Sequence, residues 1–266
     1  MIKYYDIQNK RLVGMEQVAT EEFWKDHWLA PVDFKKRVMS GAENGLIKKY
    51  TSLFLKAPAK VVDAGCGIGQ NVYGLDKWGY DAYGIDYVTD VVNLTKTHFP
   101  HLKVVAEDVR KIGFPDGFFD GYWSLGVIEH FKEGYTDILR EASRVLKKDG
   151  YLFITVPWFS PLRKLKAKMG LFGRFDEHTD MSHFYEFMLD DKVLTEDVKK
   201  HGFSLVSRHP YDAVKGLKDE VSVLKPFLQK IYDSKHVYAK GIRFIFTTLL
   251  ASFSGHIILL IFKKHE

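Results

Sequence analysis

From residue 60 onward, short apolar runs alternate with longer windows whose apolar residues recur every three or four positions. KVVDAG (60–65), DAYGID (81–86), LKVVAED (102–108), FFDGYWSL (118–125) and GYLFITVP (150–157) are brief and rich in β-branched and aromatic residues, as strands are. Helical windows at 69–79, 89–98 and 134–147 separate them, and a helix over 191–201 with the strand FSLVSRH (203–209) continues the series. Strands alternating with helices build βαβ units, hence a largely parallel sheet covered on both faces. The pattern predicts an α/β fold.

The two ends of the chain read differently. Residues 1–50 are expected to form a polar, helical N-terminal cap, with Phe23, Trp24, His27 and Trp28 in an i,i+4 stripe and Pro31 ending the turn. Residues 51–266 then form one domain with insertions at 158–189 and 210–242, lengths typical of lids and binding elements. From Phe244 to Phe262 the chain is mostly apolar, long enough on length alone to span a membrane. Thr248, Ser252, Ser254 and Gly255 interrupt it, and HIILLIF (256–262) suits a strand buried on both faces. Helix, turn and buried strand is the expected order.

Composition changes this picture little. Lys+Arg 39 against Asp+Glu 34 leaves a net charge of +5, and 46% of residues are hydrophobic, which excludes collagen-like, coiled-coil and disordered classes. The positive charges are scattered, so no nucleic acid is expected as partner. A lone cysteine, Cys66, rules out an intramolecular disulfide and a cysteine-based zinc site. MIKYYDIQNK has no apolar core of a secretory signal, so a cytoplasmic protein is expected.

The most informative segment is VVDAGCGIGQ (61–70). A buried strand ends in Asp63, and Gly65, Gly67 and Gly69 open a helix where the backbone turns sharply and a ligand approaches closely. A dinucleotide loop would want G-x-G-x-x-G, but Gln70 stands at the third place. The carboxylate of Asp63 ahead of the glycines suits a ligand with positive charge near the turn. Asp86 and Asp108 each fall at a strand end, where open α/β sheets bind ligands, although either alone is an ordinary turn residue.

This D-x-G-x-G-x-G arrangement with two downstream acids resembles the class I S-adenosylmethionine-dependent methyltransferases, in the UbiE/UbiG-like, type 11 group. The resemblance covers about residues 55–209 and the last strand. It implies a seven-stranded sheet of order 3-2-1-4-5-7-6 whose last strand, 256–263, is antiparallel, with helices on both faces. It further implies that Asp63, Gly65, Gly67 and Gly69 meet the cofactor's methionine end, that Asp86 with Tyr87 takes the ribose, and that Asp108 with Val109 meets the adenine. Ser124 and Leu125 in FDGYWSLGVIEHF (119–131) would line the methionine side. S-adenosylmethionine is the implied cofactor, with S-adenosylhomocysteine as product.

An oxygen or nitrogen acceptor also needs a base. His130 in IEHF and His183 in MSHFYEF are the candidate catalytic residues, with Tyr185 third. The run RFDEHTDMSH (174–183) lacks tight ligand spacing and reads as a solvated loop, so no metal is assigned. PLRKLKAKMGLFGRF (161–175) places Leu162, Leu165, Met169 and Phe172 at helical spacing beside Arg163, Lys164, Lys166 and Lys168. It is expected to form a basic amphipathic helix, a lid or a contact for an anionic membrane surface. The expected function is methyl transfer to a small or amphiphilic, lipid- or glycan-linked acceptor. The alternatives are a nucleotide-dependent oxidoreductase with a degenerate phosphate loop, or a non-catalytic, membrane-peripheral cofactor binder.

Overall fold

The computed structural model describes residues 1–30, 33–234 and 236–265, so the expected stop at Pro31 lies outside the described residues. The chain opens with β1 (Ile2–Asp6), β2 (Arg11–Met15), α1 (Glu21–Leu29), α2 (Phe34–Met39) and α3 (Gly45–Phe54). The alternating series comes next: β3 (Lys60–Ala64), α4 (Gln70–Lys77), β4 (Asp81–Asp86), α5 (Thr89–His98), β5 (Lys103–Ala106), β6 (Phe119–Leu125), α6 (Thr136–Val145) and β7 (Leu146–Pro157). The last third holds α7 (Pro161–Lys168), β8 (Gly173–Arg174), β9 (Phe184–Met188), α8 (Asp191–Lys199), β10 (Phe203–Tyr211), α9 (Ala213–Glu220), α10 (Lys225–Asp233), α11 (Val237–Ser254) and β11 (Ile257–Lys264).

Seven strands form one sheet in the order β5-β4-β3-β6-β7-β11-β10, which is the expected 3-2-1-4-5-7-6. β3 pairs in parallel with β4 and β6, and β4 with β5. The sheet is mixed, with antiparallel end strands. The register positions the strand ends: Ala64 lies opposite both Ile85 and Ser124, which levels the carboxyl ends of β3, β4 and β6. The expected helix, turn and buried strand at the carboxyl end are α11, Gly255 and β11, whose Ile258–Phe262 are buried. Among the described residues no helix is long and apolar enough to cross a membrane.

By internal contact the chain divides into two compact units. One comprises Met1–Gln17, Thr155–Glu196 and Ser207–Leu260; the other comprises Val18–Ile154, Asp197–Val206 and Ile261–Glu266. In the second unit, Trp123 of β6 stacks on Phe153 of β7 with ring centroids 4.3 Å apart. Its indole Nε1–H donates to the buried Thr51 hydroxyl at 3.1 Å, satisfying the one polar group such a core residue brings.

The first unit corrects two expectations. Residues 1–15 are a β-hairpin, not helix: β1 pairs antiparallel with β2, and the four-stranded sheet runs β8-β1-β2-β9. The Asp6 carboxylate closes the turn by accepting from Asn9 N–H at 3.1 Å, and Lys10 takes a left-handed φ of 50°. β9 itself, inside the 158–189 insertion, supplies the neighbour that buries β2. The expected 161–175 helix is helical only over α7, ending before Gly170 at φ 69°. Three of its four cations are paired within their own unit. Arg163 is 0% exposed and paired to Glu220, Lys164 pairs with Asp190 at 2.9 Å, and Lys166 with Glu220 at 2.7 Å. Carboxylates of its own unit have drawn these three cations inward, while Leu165, Lys168 and Met169 at the end of the helix stay exposed.

The core arrangement carries a stability prediction. Trp123→Ala removes a fully buried indole and orphans the Thr51 hydroxyl, costing about 3–5 kcal/mol. At a few degrees per kcal/mol, the thermal midpoint by circular dichroism should drop by roughly 10 °C. A shift of about 2 °C or less would contradict this view of the core.

Candidate cofactor site

The site grows out of the turn between β3 and α4. Gly65, Gly67 and Gly69 all hold left-handed φ values, 86°, 52° and 74°, so an L side chain at any of them is strained. Space forbids one as well: a Cβ on Gly65 would strike Val127, and one on Gly67 would strike the Trp28 indole. The turn is fixed from below by β4. One Asp86 oxygen accepts from Gly67 N–H at 2.8 Å and the other from Val88 N–H at 3.0 Å. Each oxygen keeps further acceptor capacity. Burial pushes the Asp86 pKa up, against the pull of these backbone hydrogen bonds.

Asp63 is buried two residues before the glycines. Its Oδ2 accepts from Asn71 Nδ2 at 3.2 Å, and Asn71 in turn is held by Asn44 at 3.1 Å. Its Oδ1 has no hydrogen-bond partner among the described residues. Burial, chiefly, and the nearby charge of Asp86 raise its pKa to about 7, while Asn71 works the other way. A buried carboxylate oxygen without a donor is costly to leave so, and an ammonium or amine would satisfy it.

A cavity of about 350 Å³ opens beside this turn, within the size range of small-molecule sites. Of the expected cofactor contacts, Gly65, Asp86, Tyr87, Asp108, Val109 and Leu125 line it. Gly67, Gly69, Asp63 and Ser124 do not, and the buried Ser124 hydroxyl has no hydrogen-bond partner among the described residues. Tyr87 is held as the neutral phenol, its pKa pushed up to about 12 by burial and then by the charges of Asp86, Glu21 and Asp108.

His130 lines the same cavity, its ring edge-on to Trp24 with centroids 5.0 Å apart. His183 and Tyr185 belong to the other unit: His183 is exposed just ahead of β9, and Tyr185 sits within β9. The polar run 174–183 folds on itself, with Asp176 accepting from His178 N–H and Asp180 from Ser182 N–H.

Four contributors escaped the sequence reading: Trp24, Trp28, Arg110 and Phe131. The tryptophans were visible as a stripe on α1, but nothing in the stripe says that it covers a cavity rather than a core. Arg110 changes the role of Asp108. Its guanidinium grips both carboxylate oxygens, at 2.6–3.1 Å, and holds the acid's pKa down.

The residues fit S-adenosylmethionine at its methionine and ribose ends. Asp86 has spare acceptor sites at the cavity wall and Gly65 leaves that wall free of side chain, while Asp63, buried beneath the glycine turn, is not among the lining residues. At the adenine end the fit is through Val109 and its neighbours, because Asp108 is already committed to Arg110.

Comparison with known proteins agrees. Residues 62–154 match the model of the methyltransferase domain family. A phosphoethanolamine N-methyltransferase of Arabidopsis thaliana is 28% identical over 179 residues, 63% of this chain and 36% of that protein. The ubiquinone/menaquinone biosynthesis C-methyltransferase UbiE of Campylobacter jejuni is 28% identical over 143 residues, 47% of this chain and 59% of that protein. The chain thus spans less than two thirds of the length of either relative. The fold is shared, at TM-score 0.51, 17% identity and full coverage of both chains, with a Burkholderia thailandensis 1,6-didemethyltoxoflavin-N1-methyltransferase solved with S-adenosylhomocysteine bound. With a strand order, a glycine turn and an acid at the end of β4 that all agree, residues 62–154 are a methyltransferase domain of the class I, S-adenosylmethionine-dependent group.

Proposed function

We propose that the protein transfers a methyl group from S-adenosylmethionine to an oxygen, nitrogen or carbon of a small or amphiphilic acceptor. The observation that carries this reading is the cavity at the glycine turn, lined by Gly65, Asp86, Tyr87 and Val109. The cofactor supplies a methyl group already activated by its sulfonium. The chain's own work is binding, orientation and exclusion of water. Asp86 binds two hydroxyls, Trp24, Trp28 and Phe131 wall off water, and His130 is placed to take a proton from the acceptor. His183, exposed just ahead of β9, is kept as the second candidate base.

An amphiphilic acceptor is supported by the surface of α10 and α11. Val237 and Tyr238 are 80% and 87% exposed, and Val223, Phe227, Phe244 and Leu249 are exposed as well. Exposed apolar side chains along these two helices offer surface to an apolar partner. Lys225 and Lys230 of α10 stand against Asp233, a local excess of positive charge that complements an anionic membrane. Each cation near such a surface contributes about 1 kcal/mol. Peripheral membrane contact at α10–α11 is therefore part of this reading.

Three measurements test it. By calorimetry, Asp86→Ala should weaken S-adenosylhomocysteine binding by roughly ten- to a hundredfold, the worth of charge-assisted hydrogen bonds; equal affinity would remove Asp86 from the site. With an acceptor identified from a panel, His130→Ala should cut turnover by about 10²–10⁴ while leaving cofactor affinity within about twofold; unchanged turnover would rule out His130 as the base. In sedimentation, phosphatidylglycerol vesicles should carry the protein down at low salt, and Phe244→Asp with Leu249→Asp should release it. If the wild type stays in the supernatant, the apolar face serves something other than lipid.

A further inference from the structure

We propose that the unit built on the β1–β2 hairpin holds a second site, for a phosphate-class oxyanion, formed by Lys3, Lys215, Lys225 and the Nε2–H of His256. These side chains line a cavity of about 460 Å³ with Glu186 and Asp219, all within one unit and none shared with the cofactor cavity.

The floor of the cavity is a buried charge network. Arg163 donates from Nε to Glu220 at 2.8 Å and from Nη1 to the Trp158 carbonyl at 2.6 Å. Lys166 and Lys3 bind the same carboxylate. Burial alone would raise the Glu220 pKa, but Arg163, Lys3 and Lys166 together hold it down to about 2. Glu220 is thereby committed, and Lys3, Arg163, Lys166, Lys215 and Lys225 still bring more positive charge than Asp219 and Glu220 return.

The donors are also left in conflict. Arg163 has no acceptor atom, so its 2.9 Å contact with His256 makes Nδ1 the acceptor and puts the ring proton on Nε2. Burial, then the charges of Arg163 and Lys215, presses the imidazole pKa down to about 2, so the ring is neutral. Its Nε2–H then faces the Lys215 ammonium at 2.8 Å, donor against donor. Asp219 takes one Lys215 proton at 2.9 Å, which leaves the others directed elsewhere. An oxyanion resolves the conflict by accepting from both groups at once.

Two further side chains point the same way. Lys225, at the start of α10, has no ion-pair partner among the described residues. Glu186, on the same cavity wall, is a buried residue, 8% exposed. Burial raises its pKa to about 7, against the pull of Arg163, Lys215 and Lys3, so near neutrality a large share is protonated and able to donate. Lys225 also begins the helix that exposes Phe227. A phosphate borne on an amphiphile would thus find its headgroup donors and an apolar surface on one unit, while free phosphate would use the donors alone.

Calorimetric titration of the full chain with inorganic phosphate and, separately, with dihexanoyl phosphatidic acid tests this. The wild type should bind at least one probe with a Kd of about 1 mM or tighter. Lys225→Glu, which touches no buried pair, and Lys215→Met should each weaken that binding by about tenfold or more. Both variants should keep wild-type affinity for S-adenosylhomocysteine, so failure here is separable from failure of the methyltransferase reading. Tighter binding of the lipid assigns a headgroup site; equal or tighter binding of inorganic phosphate assigns a site for the free ion. If neither probe binds, or if either variant binds as tightly as the wild type, the proposal is wrong.

Discussion

The cofactor site depends on one carboxylate. Asp86 at the end of β4 accepts from Gly67 N–H and from Val88 N–H, so it ties the turn after β3 to the start of α5. Parallel pairing of β3 with β4 brings those two strand ends level, and the left-handed glycines let the backbone meet the carboxylate. Without the register there would be no contact, and without the glycines no turn tight enough to make it. The group that fixes the loop is therefore the group that lines the cavity. Binding needs no rearrangement of it, only use of its remaining acceptor sites.

The two units solve the problem of buried charge in opposite ways. Around the glycine turn, burial raises the pKa values of Asp63 and Asp86, against the pull of Asn71 on the first and of backbone N–H groups on the second. In the hairpin unit the buried Glu220 is over-provided with cations, and its pKa falls. Removing one partner from such a network is expensive, because the remaining charge stays buried and unpaired. The fall has a pH consequence. Stability from Glu220 is fully present above its unfolded pKa, near 4.5, and is lost as the pH drops toward about 2.

What the sequence made legible was what is local or periodic. The alternation of β3 to β7 with helices, the glycine turn and the helix–turn–strand at the carboxyl end come from spacing along a short stretch of chain, while the strand order and the role expected of Asp86 came with the resemblance to the methyltransferases. What it hid depends on distant partners. The hairpin at residues 2–15 looks polar and helical because its burial comes from β9, which is more than 160 residues away in sequence. Arg163 reads as one cation on a basic stripe, and only Glu220, 57 positions on, turns it inward. Asp108 reads as a free strand-end acid, while Arg110, two residues later, takes both its oxygens. Trp24 and Trp28 sit in a stripe whose pattern is the same whether it covers a core or a ligand.

The most direct test of the account is equilibrium binding of the wild-type chain to S-adenosylmethionine and, separately, to NAD. The glycine turn ahead of Gln70, with Asp63 before it and Asp86 beneath it, should bind S-adenosylmethionine one to one with a Kd of about 100 µM or tighter, and should leave NAD unbound at about 1 mM. Binding of NAD in preference to S-adenosylmethionine, or of neither, would contradict the reading of this cavity as the cofactor site of a methyltransferase.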